Sequence, residues 1–554
     1  MTSTPRYHVS LFLLSLSLLG GCGSPGVVPL ETPAAPAVAT APIPLHEEIQ
    51  RLLEQAAAGV PCCALDWSRQ ERFYEQQAYL PVWWDPLTGQ RKPAADDLLE
   101  ILAQSPRHGL DPADYHVDTL RAYWSVSEPA GIAMRDLLLT DAFLAYARHL
   151  HSGRHAPRAL DPGWRIERQP LDAGELLRRV VDSADFRAQV ERLAPLHSGY
   201  HRLQVSLQQY QQLAAGPSWP LVVGGPLLRP GERDIRVRDL RERLRLEGYS
   251  VGEGYDDFLY DADLEAGVKQ FQLRHGLKVD GVLGAGTVAA LNVRPEQRIW
   301  QILLNMERWR WLPRDLGEHY LMVNMAGFNL RAVEQDRTRL DMRVIIGTAY
   351  RSTPAFIGRL NHLVVNPEWN VPKTILREDI VPRQRENPDY LASQRIQVLD
   401  GWEPGAAEID PAAVDWQAID PTRFPYRLRQ KPGPTNSLGR VKFMLPNEYD
   451  IYLHDTPNRQ LFAETVRTFS SGCIRVEQPL ELAEYLLASG GKWDTEQLRA
   501  LIESGVTRTI LLPEVIPVYI LYWTAWVDDE GRTHFVDDIY GLDRSMLGDN
   551  ASPR

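Results

Sequence analysis

Cys473 and His454 are the residues of this chain best suited by type and spacing to covalent chemistry. Cys473 lies in the run TFSSGCIR (468–475), nineteen positions after His454 in YLHDTP (452–457). A thiol is a strong nucleophile only as the thiolate, so it needs a base, and histidine supplies one at neutral pH. Gly472 allows backbone N–H groups to approach a developing oxyanion. The pair predicts a nucleophilic cysteine with a histidine base; the alternative is an inert buried cysteine.

Together these two segments resemble the catalytic motif of L,D-transpeptidases of the YkuD type, cysteine enzymes that cross-link peptidoglycan. That motif is a His followed by a Ser/Thr-X-Gly-Cys-hydrophobic-Arg/Asn run. Most members carry His at the position of Ser471, whereas Ser-Ser-Gly-Cys with His-Asp-Thr-Pro upstream is similar to the large, multidomain YcbB-like branch. The resemblance implies an L,D-transpeptidase of that branch, which needs no cofactor.

The resemblance also implies a mechanism. His454 takes the proton of Cys473, whose sulfur attacks the L-centre carbonyl at the third residue of a donor tetrapeptide stem and expels the terminal D-Ala. The N–H groups of Cys473, Ser471 and Gly472 stabilise the oxyanion, and losing one such donor typically costs about 10²–10³ in rate. The diamino-acid amine of an acceptor stem then attacks the thioester and forms a 3→3 cross-link. Water in place of that amine makes the enzyme an L,D-carboxypeptidase.

Four residues are candidates for substrate binding. Tyr452 lies two positions before His454 on a predicted strand and therefore on the same face. For Arg475 two roles stay open, pairing with a substrate carboxylate or bracing the nucleophile loop. Asn366 and Trp369 lie in NPEWNVP (366–372), which matches a motif of the YcbB-like branch.

Two other classes of function remain open. The chain is alternatively a non-catalytic lipoprotein that tethers the outer membrane to the wall, or a thiol hydrolase that acts on wall peptides. Loss of function on changing Cys473 alone would exclude the tether, and product analysis would separate a hydrolase from a transpeptidase.

Composition predicts several globular domains. The chain has 554 residues, of which 44% are hydrophobic and 24% charged, and one core rarely holds so many. Its formal net charge is −12, without a basic stripe, which argues against nucleic acid as a partner. The expected partners are the donor and acceptor stem peptides of peptidoglycan.

The N-terminus carries the pattern of a lipoprotein address. Arg6 precedes the apolar segment 9–19, which is too short to span a bilayer and typical of a signal peptide. The run LGGC (19–22) resembles a bacterial lipobox, with Cys22 as the lipidated residue, and Gly23 favours the outer membrane by the sorting rule. We therefore expect a signal peptide at 1–21, a Pro/Ala-rich tether at 22–45 and a periplasmic protein held to the outer membrane by its lipid anchor. Plain cleavage to a soluble protein is the alternative, and the roles of Cys62 and Cys63 stay undecided.

The fold class predicted for the chain is α+β and multidomain. Helical periodicity indicates a mainly helical domain at 46–221, which resembles the scaffold domain of YcbB-like transpeptidases. The run FQLRHGL (271–277) followed by Asp280-Gly281 resembles a three-helix peptidoglycan-binding domain, expected at 231–293, with a pure spacer as the alternative. A helical return to the scaffold is expected at 294–316. In RHLHSGRH (148–155) no carboxylate or cysteine stands at ligand spacing, so no metal site is predicted.

After WRWLP (309–313) the periodicity changes from 3.6 to 2, which indicates strands. We expect a β-rich catalytic domain of the YkuD type at 318–512, followed by a C-terminal β extension at 513–554. The charged, Pro-rich stretch at about 371–428 is too long for an ordinary loop and matches the lid-like capping insertion of the YcbB-like branch.

Overall fold

The computed structural model describes residues 44–58, 65–216 and 219–547. The predicted signal peptide, Cys22 and nearly all of the tether lie outside these residues, as do Cys62 and Cys63. Within the described part of the chain, no helix combines the length and the apolar character needed to cross a membrane.

The N-terminal region is helical. Its longest helix is buried along most of its length, and the carboxylate of Asp136 at its centre accepts hydrogen bonds from the N–H groups of Val82 and Trp83 and from the Tyr74 hydroxyl. These bonds tie the preceding loop to the helix core. The helices are α1 (Leu45–Ala57), α2 (Trp67–Glu75), α3 (Pro93–Ala103), α4 (Val117–Tyr123), α5 (Pro129–Ser152), α6 (Pro157–Leu160), α7 (Ala173–Val180), α8 (Phe186–Glu191) and α9 (Ser198–Ala215).

A small helical module with its own apolar core follows. It contains α10 (Arg236–Leu246), α11 (Ala262–Arg274) and α12 (Ala285–Leu291), and α13 (Pro295–Arg310) then packs against α9. The buried ion pair between Arg243 and Glu247 has an N–O distance of 3.0 Å, and Glu247 also accepts from the Tyr210 hydroxyl of α9. This polar contact attaches the module to the scaffold helices.

The C-terminal half is built on a closed sheet. Its order is β11-β3-β12-β10-β9-β4-β13-β1-β2, and β2 also pairs with β3, so the strands form a barrel with β11 added outside the closed ring. The strands are β1 (His319–Asn324), β2 (Asn329–Glu334), β3 (Arg337–Gly347), β4 (Phe356–Val365), β5 (Trp369–Asn370), β6 (Ile396–Leu399), β7 (Glu408–Ile409), β8 (Arg427–Gln430), β9 (Val441–Met444), β10 (Leu453–His454), β11 (Thr468–Ser470), β12 (Ile474–Val476), β13 (Arg508–Leu521), β14 (Ala525–Val527) and β15 (Thr533–Phe535).

Alternate residues of the barrel strands fill its interior. Side chains on this face are wholly buried and apolar, among them Leu321, Val344, Leu363, Phe443, Leu453, Ile474 and Val518.

The predicted α+β fold class, with helical N-terminal domains and a β-rich C-terminal domain, is confirmed. Because β13 pairs with both β4 and β1, the expected boundary at 512/513 falls inside a strand of the barrel. Two further helices, α17 (Pro479–Leu487) and α18 (Thr495–Ser504), contact each other, and α17 packs against β9 and β13 of the barrel. The last helix, α19 (Leu542–Leu547), follows β15.

The insertion between β4 and β9 folds as a small unit of its own. It contains α14 (Lys373–Ile375), a π-helical turn (Leu376–Ile380), α15 (Val381–Glu386), α16 (Tyr390–Ser393) and a sheet in the order β5-β8-β6-β7. Its apolar core includes Val398 and Leu428, which are almost fully buried. These strands are not predicted from the sequence, because each is only two to four residues long and the surrounding sequence is charged and Pro-rich.

Candidate active site

The register of β10 and β12 places the candidate catalytic residues on the outer face of the barrel. His454 of β10 lies opposite Arg475 of β12, and the Ile474 N–H donates to the Tyr452 carbonyl oxygen at 3.1 Å, which continues this ladder to Tyr452 and Cys473. Because Leu453 and Ile474 point into the core, their neighbours point outward. The strand period therefore brings Cys473, His454, Tyr452 and Arg475 to one surface.

The loop that carries Cys473 is braced by hydroxyl groups. The Ser470 hydroxyl accepts from the Gly472 N–H at 3.1 Å and donates to the Cys473 carbonyl at 2.5 Å. Thr353 donates its hydroxyl to the Gly472 carbonyl at 2.7 Å and accepts from the Gly347 N–H at 3.0 Å. Gly472 has a φ of +117°, a conformation that favours glycine.

These bonds reduce the number of N–H groups that are free to bind an oxyanion from the three predicted to two. The Gly472 N–H already donates to Ser470 within the loop, so it is not free for a substrate oxygen in this conformation. The N–H groups of Ser471 and Cys473 have no acceptor among the described residues, and their role stays a prediction.

His454 is buried and its ring is oriented by the backbone. Its Nδ1 lies 2.5 Å from the carbonyl oxygen of Asp455. Because a carbonyl oxygen only accepts, Nδ1 carries the ring proton, and Nε2 of the neutral ring is the basic nitrogen. This contact identifies the group that orients the base, which sequence reasoning did not find.

Burial keeps both members of the pair neutral at rest, and nearby positive charge has the same effect on His454 but opposes it for Cys473. Burial, with the charge of Arg475, lowers the pKa of His454 to about 3, and Lys442 acts in the same direction. Burial also raises the pKa of the Cys473 thiol, although hydrogen bonds from Tyr452 and the charges of Lys442 and Arg475 oppose this rise. A resting thiolate–imidazolium pair is therefore unfavourable, and the proton has to move as the sulfur attacks.

Two basic residues that sequence reasoning missed belong to this site. Lys442 of β9 pairs directly with His454, and its ammonium nitrogen lies 3.8 Å from the centre of the Tyr452 ring. Arg351 donates to the Ser471 hydroxyl at 2.9 Å and to Glu378 and Asp379 of the capping insertion, both at 2.6 Å. Arg351 thus joins the nucleophile loop to the insertion.

The predicted substrate-binding residues have different surroundings. Tyr452 is half-buried, and it packs against both the barrel core and the core of the capping insertion, with its ring 5.7 Å from that of His454. One Arg475 nitrogen donates to the Phe469 carbonyl at 3.4 Å, which fits bracing of the loop, whereas its Nε has no partner. Both roles predicted for Arg475 therefore stay open.

Asn366 and Trp369 are both buried. Asn366 is wholly buried, and its amide group donates to the carbonyls of Leu501 and Val506 at 2.9 and 3.3 Å. Trp369 is 8% exposed and lies in the apolar core of the capping insertion. Neither side chain offers an accessible surface in this conformation, and the substrate contacts predicted for them stay predictions.

The histidine-rich end of α5 serves the fold. The Nδ1 atom of His149 lies 3.0 Å from the Tyr115 hydroxyl, and that of His151 lies 2.8 Å from the Ser152 hydroxyl. Among the described residues, no group of three or more His, Cys, Asp or Glu side chains is arranged to hold a metal ion.

The fold and site define a barrel that presents a cysteine and a histidine on its outer face beneath an inserted cap. Residues 318–518 match the family model described as "L,D-transpeptidase catalytic domain" (YkuD). Residues 68–207 match "Scaffold domain", and residues 233–291 match "Putative peptidoglycan binding domain". The chain therefore contains a catalytic domain of the YkuD L,D-transpeptidase family together with scaffold and peptidoglycan-binding domains, as the sequence resemblance implied.

Individual relatives cover parts of the chain. A Haemophilus influenzae protein described as "Putative L,D-transpeptidase" is 37% identical over 246 residues, which are 44% of this chain and 48% of the relative. The chain thus spans about half the length of that relative. A Sus scrofa protein described as "Epoxide hydrolase 1" is 26% identical over 84 residues, 15% of this chain and 18% of that protein. A solved L,D-transpeptidase structure (residues 123–326) from Xylanimonas cellulosilytica is 15% identical with a TM-score of 0.16, covering 55% of this chain and all of that one.

Proposed function

We propose that this protein is a cysteine-dependent L,D-transpeptidase that forms 3→3 cross-links between tetrapeptide stems of peptidoglycan. The single observation that supports this most is the register of β10 and β12, which puts Cys473 and His454 on one outer face of the barrel, with the His454 ring oriented by the Asp455 carbonyl. The match of residues 318–518 to the YkuD catalytic domain supports the class of reaction.

The chemical steps follow from these positions. The Cys473 proton passes to Nε2 of His454 as the sulfur bonds to the donor carbonyl carbon, and the N–H groups of Ser471 and Cys473 face the oxyanion. The bond to D-Ala then breaks, and His454 returns the proton to the leaving amine. The acceptor amine attacks the thioester, its proton passes to His454, and the carbon–sulfur bond breaks to regenerate the thiol.

The helical module and the N-terminal sequence are also consistent with a peptidoglycan substrate. The module of α10–α12 matches a peptidoglycan-binding domain, and its buried contact with α9 fixes it to the scaffold that supports the barrel. We propose that it holds the enzyme on the wall. A periplasmic location with an outer-membrane lipid anchor at Cys22 is part of this proposal, and it rests on the sequence pattern of residues 1–23.

Product analysis tests the proposal. The purified protein is incubated with disaccharide-tetrapeptides, and mass spectrometry follows the products, with Cys473→Ala as the control. A Cys473-dependent dimer that has lost one D-Ala is the expected result. Tripeptide alone would identify an L,D-carboxypeptidase or thiol hydrolase instead. Absence of turnover with retained binding to peptidoglycan would contradict the catalytic proposal and favour a tethering protein.

A further inference from the structure

Lys442 occupies a position next to the nucleophile that the reaction steps above do not use. It lies opposite His454 in the antiparallel β9–β10 pair, and His454 lies opposite Arg475 in the parallel β10–β12 pair. Directly paired residues share a face of the sheet, so these three side chains form a row across the outer face. Tyr452 and Cys473 form the adjacent row.

Lys442 is a half-buried cation without a carboxylate partner. Among the described residues it forms no ion pair, and its ammonium nitrogen lies 3.8 Å from the centre of the Tyr452 ring. A buried ammonium is costly unless an anion compensates it. Cys473 and Asp450 are the acidic groups whose charge acts on Lys442, and the Asp450 carbonyl oxygen lies 3.5 Å from the Cys473 sulfur.

Of the other two cations near Cys473, Arg351 is already paired with carboxylates, whereas Arg475 forms no ion pair among the described residues. Arg351, which reaches the loop through Ser471, is neutralised by Glu378 and Asp379 of the capping insertion. The remaining titratable groups that face Cys473 or Lys442 are Tyr452 and His454 of the β10 segment, Arg475 of β12, Asp450 and His362 of β4. His454 is held neutral between the two cations, so it does not supply a positive charge for a thiolate at rest.

We propose that the Lys442 ammonium stabilises the Cys473 thiolate electrostatically, in addition to Arg475, and so makes this thiol easier to ionise. The inference rests on the proposed function, since it takes Cys473 as the nucleophile. Lys442 keeps its three protons throughout, and no bond to it forms or breaks; the thiol proton leaves to His454 or to solvent. Lys442 thus acts on the reaction only through its charge, and a cation–π contact with the Tyr452 ring holds its ammonium group in place.

Alkylation of Cys473 by iodoacetamide, a small neutral probe, tests this inference. The rate is measured by mass spectrometry of the Cys473 peptide from about pH 7 to about pH 11, wherever circular dichroism shows an intact fold. In Lys442→Met the midpoint of the rate profile is expected to rise by about one pH unit. At about pH 8 the rate should fall three- to fourfold, because a roughly tenfold loss of thiolate is partly offset by its greater nucleophilicity.

Matched variants isolate the charge. Lys442→Arg keeps the positive charge and should keep the midpoint of the wild-type protein, and so should Lys492→Met, which removes an exposed lysine of the same domain. Lys442→Gln is a second neutral variant and should behave like Lys442→Met, so it carries the test if the methionine variant does not fold.

The results also separate this inference from the proposed function. An unchanged midpoint in both neutral variants, with a raised KM for tetrapeptide, would overturn it and make Lys442 a substrate-binding residue. A wild-type Cys473 that iodoacetamide does not modify at any pH would overturn both the inference and the nucleophile assignment. A shifted midpoint in a protein that makes no cross-links would support the role of Lys442 and contradict only the proposed function.

Discussion

Buried cations have opposite surroundings in two regions of this molecule. In the helical region, Arg310 of α13 donates to Glu307 at 2.9 Å and to the Tyr200 hydroxyl at 3.1 Å. On the outer face of the barrel, Lys442 and Arg475 have no carboxylate partner among the described residues. The charge of Arg310 is thus paired within the fold, whereas the charges of Lys442 and Arg475 are not paired with a carboxylate there.

The pKa shifts follow this difference. Burial lowers the pKa of each of these cations, but Tyr200 and Glu307 outweigh that effect for Arg310, so its pKa is raised. For Lys442 and Arg475 burial prevails and the pKa is lowered, although the charge of Cys473 acts against it. A buried charge that is paired within the protein stabilises the fold, and one left unpaired is available to chemistry.

The largest effect on stability is expected from breaking the helical cluster. Glu307→Gln removes the carboxylate that accepts from Arg310, from the Trp311 indole and from the His155 N–H. An uncompensated buried arginine should lower the free energy of unfolding by about 3–5 kcal/mol. Urea unfolding measures this change, with Glu296→Gln, an exposed carboxylate on α13, as the control.

Measuring the turnover of the same variant tests whether the helical cluster and the candidate active site are independent. Glu307→Gln should leave turnover per folded molecule unchanged, because the cluster supports the fold and does not touch the site. A loss of turnover without a loss of stability would contradict the contrast between the regions.

The buried histidine of the helical cluster predicts a pH dependence of stability. Burial, with the charges of Arg310 and Arg107, lowers the pKa of His108 to about 3. As the pH falls below about 6.5, the unfolded state binds a proton that the folded state does not, so stability is lost toward acid. At about pH 5 this amounts to about 2 kcal/mol for His108.

Urea unfolding at about pH 7 and about pH 5 tests the role of His108. In His108→Gln the loss of stability between these values should be smaller than in the wild-type protein by about 2 kcal/mol. The exposed His46→Gln serves as the control. An equal loss in His108→Gln and wild type would show that His108 is not held neutral.

The smallest effect is expected at the brace of the nucleophile loop. Thr353→Val keeps the shape of the side chain but leaves the Gly472 carbonyl and the Gly347 N–H without a partner. We expect kcat to fall about tenfold, because a small displacement of Cys473 is costly to the reaction, and stability to fall by about 1–3 kcal/mol. Steady-state kinetics and thermal unfolding measure both, with the exposed Thr509→Val as the control. Unchanged kcat would mean that the loop holds its geometry without Thr353.

Sequence reasoning was effective where the structure is local. The strand period placed Tyr452 beside His454, and helical spacing identified the module around Val237 and Phe271. Lys442 was missed because its pairing with His454 depends on the register of two separate strands. Arg351 was missed because it meets Ser471 only through the loop after β3.

A sequence motif does not show how deeply its residues are buried. Asn366 lies in such a motif, yet its side chain is wholly buried and its amide nitrogen donates to the carbonyls of Leu501 and Val506. The strands of the capping insertion are too short to show alternation, so the sequence predicts the insertion but not its strands.

Intact-protein mass spectrometry during turnover tests the central claim most directly. The protein is mixed with a tetrapeptide donor in the absence of an acceptor amine and quenched in acid. The wild-type protein should gain the mass of the donor minus D-Ala, with the adduct mapped to Cys473, and Cys473→Ala should gain nothing. An adduct on another residue, or cross-linked product from Cys473→Ala, would contradict the account.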